Sequence, residues 1–288
     1  MELERLTEPV TLGEGPCWHA DEQVLYWVDI FGKALHRFDP SAATDQHWDL
    51  GAFVGTVAPR ASGGLVVALE DGFGHFEPGT GTYEAWDTVE ANPSTRFNDG
   101  KCDPSGRFWC GSMDKSEEEN LGTLYRMGPD RSVQSMVSPV GISNGLGWSP
   151  DETKMYYIDS PTRQIWVFDY DASTGAIENR RTLVELTEGE GWPDGMTVDA
   201  DGNLWLAQWA GSCVTQRDPE NGKVMQRIET PAPHTSACCF GGPELTDLYI
   251  TSARKGLTES QLQEYPDSGC LFRIRLSTQG CPTFAYAE

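Results

Sequence analysis

Short runs of apolar residues recur along the whole chain, and turn residues separate them. Segments such as VLYWVD (Val24–Asp29) and KMYYID (Lys154–Asp159) are typical of strands, whereas Gly, Pro, Asn and Asp between them favour tight turns. The 3.6-residue period of a long helix is missing, and one short helix is predicted, from Glu259 to Tyr265 before Pro266. The pattern therefore predicts an all-β protein.

The predicted strands occur in a unit that recurs along the sequence. Each copy begins with a polar or Gly-containing corner, followed by a strand, an Asp- or Pro-containing turn and a second strand, and SNGLGWSPDETKMYYIDS (Ser143–Ser160) is the clearest example. The corners lie near residues 14, 56, 98, 144, 194 and 236, so neighbouring corners are 42 to 50 residues apart. A period of this length indicates a repeat architecture.

Each copy offers enough sequence for a meander of four antiparallel strands. Six such sheets arranged radially predict a six-bladed β-propeller that forms a single domain over residues 1–288. A ring of this kind has to close. We expect the N-terminal segment Leu3–Val10 to complete the last sheet beside Leu271–Leu276.

The corners bring possible metal ligands together, because equivalent positions of different blades converge on the propeller axis. They carry Glu14, Asn98, Asn144 and Asp194, which offer only oxygen atoms. Taken singly, Asn-Gly, Asp-Gly and Glu-Gly are turn dipeptides. Four oxygen donors at one repeat position instead predict one central metal site, for which Ca²⁺ is expected and Zn²⁺, Mn²⁺ or Mg²⁺ are alternatives.

Several segments resemble the SMP-30/gluconolactonase/regucalcin family, and they cover nearly the whole chain. The most specific are LGEGPCWH, RFNDGKCDPSGRFWCGSM, PDGMTVDADGNLWLAQW and LYITSARKGL. The resemblance implies a six-bladed propeller with one divalent ion on its axis and hydrolysis of sugar lactones to aldonic acids. It also implies that Glu14, Asn144 and Asp194 bind the metal and that Arg96 and Asn98 contact the substrate.

The chain departs from the family pattern after GSM (residues 111–113), where it reads DKSEEEN. The family often places there an acid that contacts sugar hydroxyls, and Asp114, Ser116 and Glu117 are the alternatives in this chain. Two polar insertions, Lys115–Gly122 and Leu186–Trp192, are either solvated connections or the rim of a site.

The function that follows is metal-dependent opening of an aldonolactone. A hard cation polarises the lactone carbonyl, and Asp194 is the expected general base, with a water molecule acidified by the ion as the alternative. Two other functions stay open: a phosphotriesterase-like hydrolase, since a hard ion also polarises P=O, and a non-catalytic calcium-binding scaffold. The pair Arg96 and Asn98 beside the metal corners argues against the scaffold.

Two local motifs compete with this interpretation. Gly141–Gly145 fits the G-x-S-x-G nucleophile elbow, which requires a helix after its serine, but LGWSPD follows and turns at Pro150. Ser143 is therefore assigned to a turn. The stretches DYDASTG from Asp169 and DADGN from Asp199 lack the Gly and acid positions of a calcium-binding loop and are predicted to be hairpin turns.

Charge and segment composition limit the partners. The chain has 44 acidic and 21 basic residues, for a net charge of -23, and such a field repels nucleic acid and anionic membranes. No apolar run has membrane-spanning length, and the start, MELERLTEPV, is unlike a secretory signal. We expect a soluble, cytoplasmic monomer or weak homodimer. The acidic surface also suggests a salt-rich environment, a hypothesis that activity and stability peaking at low salt would contradict.

The eight cysteines show no metal-binding spacing, and they are expected to be unpaired thiols packed as small apolar residues. Cys238 and Cys239 are adjacent in a predicted strand. Since neighbouring side chains of a strand point to opposite faces, at most one of the two is expected to point inward.

Overall fold

The structure, a computed structural model, describes residues 2–288 and is built almost entirely from short strands. The strands are β1 (Glu4–Arg5), β2 (Gly13–His19), β3 (Val24–Asp29), β4 (Ala34–Asp39), β5 (Thr44–Asp49), β6 (Thr56–Pro59), β7 (Leu65–Ala68), β8 (Gly72–Glu77), β9 (Thr82–Thr88), β10 (Thr95–Cys102), β11 (Phe108–Asp114), β12 (Gly122–Met127), β13 (Val133–Val140), β14 (Ser143–Trp148), β15 (Lys154–Asp159), β16 (Gln164–Asp171), β17 (Ala176–Glu185), β18 (Trp192–Val198), β19 (Leu204–Trp209), β20 (Cys213–Arg217), β21 (Val224–Glu229), β22 (His234–Gly241), β23 (Asp247–Ala253) and β24 (Phe272–Arg275). The all-β prediction is confirmed.

Helical structure is confined to two short segments in the described part of the chain. A 3₁₀ turn covers Ser160–Thr162, and α1 covers Glu259–Glu264, close to the predicted helix. Thr258 caps α1 by accepting a hydrogen bond from the backbone N–H of Gln261, whose side chain bonds back to Thr258. No helix within residues 2–288 has the length and apolarity needed to cross a membrane.

The strands pair antiparallel in four-stranded meanders. Four separate sheets contain β2–β5, β6–β9, β10–β13 and β14–β17. An eight-stranded sheet contains two further four-stranded runs, β18–β21 and β22–β24 completed by β1, and these runs meet where Trp209 pairs with His234. The predicted four-stranded antiparallel organisation is therefore confirmed.

The first strands of these meanders form the centre of the molecule. Strands β2, β6, β10, β14, β18 and β22 contact one another in sequence, and β22 contacts β2 again. The N-terminal segment completes the last meander as predicted, although β1 is shorter than the predicted segment: Glu4 pairs with Arg273, and Arg5 pairs with Phe272. A salt bridge of 2.6 Å between Glu4 and Arg273 supports this junction.

A β-bulge interrupts five of the six first strands close to the predicted corners, and in β22 the register shifts between Thr235 and Ala237. The pairing register shifts between Glu14 and Cys17, between Phe97 and Gly100, between Asn144 and Leu146, and between Pro193 and Met196. A bulge breaks the strict alternation of a strand and re-aims the side chains beside it. The corner side chains therefore point towards the centre rather than into the space between sheets.

Two aspartates of the hairpin turns hold buried tryptophans six positions later. Asp103 accepts a hydrogen bond from Trp109 Nε1, and Asp199 accepts one from Trp205 Nε1, both at 2.9 Å. Asp199 Oδ1 also accepts hydrogen bonds from the backbone N–H groups of Asp201 and Asn203. The prediction that DADGN is a hairpin turn is confirmed.

The prediction for the adjacent cysteines is wrong, because both Cys238 and Cys239 are buried. Cys238 packs in a cluster with Trp205, whereas Cys239 packs on the other side of β22 in a cluster with Trp18 and Tyr249. A first strand has neighbours on both faces, so alternation exposes neither residue. All eight cysteines are unpaired, as predicted.

The C-terminal residues tie the end of the chain to distant meanders. The backbone N–H of Tyr286 donates to Pro59 O at 2.8 Å, and its hydroxyl donates to Gly128 O at 2.7 Å. Tyr286 is fully buried, and Glu288 forms a 2.6 Å salt bridge with Arg60. This tail runs from the last meander to those that contain β6 and β12.

Candidate active site

The four predicted corner residues line one cavity of about 420 Å³. Glu14, Asn98, Asn144 and Asp194 come from β2, β10, β14 and β18, respectively, and each lies beside the bulge of its strand. Arg96, two residues before Asn98, lines the same cavity. The outer wall is largely apolar and includes Leu12, Ile142, Pro161, Trp192 and Trp209. The sequence-predicted ligands and substrate contacts from these corners are thus brought together.

Two buried carboxylates dominate the floor of this cavity. Glu14 and Asp194 are each 5% exposed. Burial raises the pKa of Glu14 to about 8, with the charge of Asp99 adding to the effect, and burial followed by the charge of Glu14 raises the pKa of Asp194 well above its usual range. Neither belongs to an ion pair within residues 2–288. Buried carboxylates that belong to no ion pair favour occupation by a cation.

The amide of Asn144 is oriented by its neighbours. Ser160 Oγ donates its proton to Pro193 O at 2.6 Å and therefore accepts a hydrogen bond from Asn144 Nδ2 at 2.8 Å. Asn144 Oδ1 is then left to face the cavity, where Asn98 Nδ2 lies 3.2 Å away. The amide oxygen joins the two carboxylates as a third hard donor.

This donor set fits a hard divalent cation such as Ca²⁺, which prefers carboxylate and amide oxygens and keeps further positions for water or substrate. No cluster of three or more His, Cys, Asp or Glu side chains in the described part of the chain is arranged to hold a metal. An ion in this cavity would therefore depend on Asn144 together with Glu14 and Asp194.

Arg96 is a buried cation beside these carboxylates. Its Nη1 donates to Phe97 O at 3.0 Å and to Asn98 Oδ1 at 2.7 Å, and the side chain is almost fully enclosed. Burial lowers the pKa of Arg96 to about 10, opposed by the charges of Glu117 and Glu14. The guanidinium group therefore stays protonated at neutral pH.

The amide of Asn98, predicted as a substrate contact, is engaged by the protein. Oδ1 accepts from Arg96, while Nδ2 donates to Ser143 O at 2.8 Å and lies 3.2 Å from Asn144 Oδ1. Asn98 thus links the guanidinium group to the amide of Asn144.

Of the three alternatives after GSM, only Glu117 lines the cavity. Asp114 instead accepts hydrogen bonds from Ser116 Oγ at 2.5 Å and from the backbone N–H groups of Glu118 and Glu119 at 3.1 Å. Asp114 and Ser116 therefore shape the insertion that presents Glu117.

Sequence reasoning assigned no individual role to two residues at the mouth of the cavity. Lys255 forms an ion pair with Glu117, and its Nζ lies 5.3 Å from the centre of the Phe31 ring. Trp192 is 40% exposed, and the guanidinium group of Arg163 lies over its ring, 4.4 Å from the ring centre. The signal that could have found Trp192 is a large aromatic residue placed directly before the Pro-Asp corner.

Both polar insertions reach the rim of the cavity. Lys115–Gly122 contributes Glu117, and Leu186–Trp192 contributes Trp192. The alternative that they surround a site is supported over that of simple solvated connections.

Ser143 is not placed as a nucleophile. It begins strand β14, is fully buried, and accepts a hydrogen bond at Oγ from the hydroxyl of Tyr157 at 2.8 Å. The chain continues as a strand to Trp148, so the helix that a nucleophile elbow requires is replaced by β structure. The rejection of this motif from the sequence is confirmed, but the assignment of Ser143 to a turn is wrong, because the residue lies in β14.

Comparison with known proteins places the chain in a family. The sequence model of the SMP-30/gluconolactonase/LRE-like region matches residues 12–254, which include every residue that lines the cavity except Lys255. The chain belongs to this family. The resemblance inferred from the sequence segments is therefore confirmed.

Members of the SMP-30/gluconolactonase/LRE-like family match over almost the full chain. Regucalcin of Xenopus laevis is 41% identical over 290 residues, covering 98% of this chain and 97% of that protein. The Bacillus subtilis protein named "Putative sugar lactone lactonase YvrE" is 37% identical over 277 residues, covering 96% and 95%. The solved structure of a calcium-binding protein, regucalcin, from Agrobacterium tumefaciens is 26% identical, with a TM-score of 0.95 over 99% of this chain and 97% of that one.

Proposed function

We propose that this family member is a metal-dependent lactonase that opens a sugar lactone to the corresponding aldonic acid. The observation that carries the proposal is the pair of buried, unpaired carboxylates of Glu14 and Asp194 beside the oriented oxygen of Asn144 in an accessible cavity. The name of the Bacillus subtilis relative supports the reaction class. We take the four-stranded meanders to be the six blades of one propeller domain that surrounds this centre.

The metal in this proposal is Ca²⁺, since the Agrobacterium relative is named a calcium-binding protein and the donors are all oxygen. Zn²⁺, Mn²⁺ or Mg²⁺ are alternatives for the same donors. Glu14, Asn144 and Asp194 would hold the ion, which when bound supplies Lewis-acid polarisation of the lactone carbonyl.

Arg96 is proposed to orient the substrate. Its Nη1 is held by Phe97 O and Asn98, whereas Nε and Nη2 make no hydrogen bond within residues 2–288. These donors are available for the sugar hydroxyls or the ring oxygen, in the planar arrangement that a guanidinium group provides. Glu117 at the rim is an acceptor for further hydroxyl groups.

Asp194 is proposed to move the proton of the reaction. The oxygen of a water molecule forms a bond to the carbonyl carbon while the carboxylate accepts its proton. The bond between the carbonyl carbon and the ring oxygen then breaks, and the ring oxygen takes up the proton to become a hydroxyl group. The products are the open-chain hydroxyl and the carboxylic acid, so no oxidant or second substrate is required.

The test measures proton release from a panel of sugar lactones, with and without a chelator. We expect the calcium-loaded protein to open at least one lactone faster than buffer and the chelated protein to lose this activity. If none is opened faster than buffer, the proposal is wrong. A phosphotriester in the same panel tests the alternative of a phosphotriesterase-like hydrolase, which hydrolysis of that compound would indicate. Ion binding without turnover of any compound would indicate a non-catalytic calcium-binding scaffold.

A pair of matched variants tests the role of Asp194. Asp194→Asn should lower turnover by about 10²- to 10⁴-fold, the range expected for a positioned acid–base group. Asp201→Asn removes an exposed carboxylate from the turn that follows the same strand and should leave turnover unchanged. Full turnover of Asp194→Asn with its ion bound would remove Asp194 from the proton transfer.

A further inference from the structure

A third buried carboxylate lies beside the proposed metal ligands. Asp99 follows Asn98 on β10 and is 8% exposed. Its Oδ1 accepts a hydrogen bond from the backbone N–H of Gly100 at 2.7 Å, and it belongs to no ion pair within residues 2–288. Burial of a carboxylate outside any ion pair costs desolvation free energy, so its presence needs a physical explanation.

Asp99 faces a second, smaller cavity further along the same first strands. This cavity, of about 70 Å³, is lined by residues that follow the metal corners in sequence, among them Gly15 after Glu14 and Gly195 after Asp194. The bulge between Phe97 and Gly100 allows the adjacent Asn98 and Asp99 to point to the two cavities in turn. We call Glu14, Asn144 and Asp194 the ligand layer. Asp99 therefore lies behind this layer, on the side away from the mouth of the larger cavity.

Asp99 lies near both carboxylate ligands. Gly15 and Gly195, which directly follow Glu14 and Asp194, line the same cavity of about 70 Å³ as Asp99, so its carboxylate lies close to the backbone of both ligands. Lys101 also lines this cavity, and its charge lowers the pKa of Asp99 against the effect of burial. Lys101 Nζ donates to Met196 O at 2.8 Å.

We propose that Asp99 is a positioning residue of the metal centre, which binds no ion directly but whose buried negative charge, partly offset by Lys101, sets the affinity of the ligand layer for a divalent cation. Charges act strongly over several ångströms in a poorly solvated interior, and groups behind the ligands commonly change metal affinity. This inference rests on the proposed function only in requiring an ion at Glu14, Asn144 and Asp194, and it does not require lactone turnover.

The test is calorimetric titration of the full-length, metal-stripped protein with Ca²⁺. Asp99→Asn should weaken binding by about 10- to 100-fold while the stoichiometry stays at one ion. Lys101→Met should tighten binding, by roughly threefold or more, because it removes a positive charge from the same environment. Opposite shifts from two neutralising substitutions on one strand identify charge as the cause, since damage to packing would weaken binding in both.

Charge-retaining variants protect the test from misfolding. Asp99→Glu and Lys101→Arg should bind Ca²⁺ within about threefold of the wild type, and circular dichroism verifies that each variant is folded. If the wild type binds one ion and Asp99→Asn binds it equally well, the inference fails while the proposed function stands. Weaker binding in both neutralised variants also overturns it. A wild type that takes up no divalent ion overturns both the inference and the metal dependence of the proposed function.

Discussion

The hydroxyl group of Ser160 fixes the amide of Asn144 in one orientation. It donates to Pro193 O at 2.6 Å and can therefore only accept from Asn144, whose Nδ2 lies 2.8 Å away. Ser160 belongs to the 3₁₀ turn after β15, whereas Asn144 lies on β14. The two strands of one hairpin thus present a single amide oxygen to the cavity.

Removal of this hydroxyl group should loosen the oxygen ligand. We expect Ser160→Ala to lower the affinity for Ca²⁺ by about tenfold, the lower end of the range for groups that orient a metal ligand. The matched control is Ser252→Ala, which removes a buried hydroxyl group that donates to Cys270 O at 2.8 Å, outside the cavity lining. Equal calcium affinities of the two variants in calorimetric titration would contradict the orienting role.

The metal-free protein should become less stable as the pH rises. Burial raises the pKa of Glu14 from its ordinary 4.5 to about 8, so the folded state holds this proton more tightly than the unfolded state does. The corresponding stability is present in full below about pH 4.5 and is lost as the pH rises through about 8. Urea unfolding in chelator should show a decline of up to about 1.4 kcal/mol per pH unit for each carboxyl group involved.

Two comparisons check the origin of this decline. Saturating Ca²⁺ should abolish it, because the ion favours the charged carboxylates. Glu14→Gln should reduce its slope in chelator, because one of the titrating groups is gone. An unfolding free energy that increases with pH in the chelated wild type would show that these carboxyl groups do not have raised pKa values.

The ion pair between Glu117 and Lys255 should affect substrate binding more than stability. Both side chains are partly exposed at the mouth of the cavity, and such pairs contribute about 0 to 1 kcal/mol to folding. Loss of a hydrogen bond to a charged group costs more, about 1.5 to 3 kcal/mol. Glu117→Gln should therefore raise KM for the best sugar lactone about tenfold, with kcat within about twofold.

Lys154→Met provides the control for this prediction. It removes an exposed pair with Glu220, 2.9 Å long, that lies outside the cavity lining. Its kinetic constants should equal those of the wild type. If Glu117→Gln also leaves KM unchanged, Glu117 does not contact the substrate.

The C-terminal tail should protect the thiols behind the site. Cys17 and Cys238 line the second cavity together with tail residues 281–284, and burial raises the pKa of each thiol to about 12. Few thiolates form at neutral pH, so labelling of the folded protein should be slow. Tyr286→Ala should cost about 3 to 5 kcal/mol of stability and accelerate labelling of these thiols, measured by mass spectrometry of modified peptides.

An exposed residue supplies the comparison. Met225 is 57% exposed on β21, and Met225→Ala should change neither stability nor labelling. Slow labelling of Cys17 and Cys238 in Tyr286→Ala would indicate that the tail is not what shields them.

The repeat made the corner residues predictable. Glu14, Asn98, Asn144 and Asp194 occupy the same place in successive copies, and a closed ring of first strands brings equal places together. The orientation of Asn98 was not predictable. Its amide is engaged by Arg96 and by backbone and side-chain atoms of β14, and these contacts depend on how neighbouring meanders pack.

Features that depend on how loops and neighbouring sheets pack could not be placed from the sequence. Lys255 and Glu117 are 138 positions apart and meet only because two loops fold over the same mouth. Asp99 was not singled out from the sequence, and its burial accompanies a bulge in β10. The prediction that at most one of Cys238 and Cys239 points inward failed because a single strand does not reveal that sheets cover both of its faces.

The C-terminal tail that lines the second cavity affects how substrate and product would reach and leave the centre. Residues 281–284 line the second cavity, so the tail packs against the first strands next to Asp99 and Lys101. Under the proposed function, lactone, water, ion and acid product would use the mouth that Trp192, Glu117 and Lys255 line. Substrate entry and product release would then pass the same rim residues, so a substitution at the rim would affect both steps.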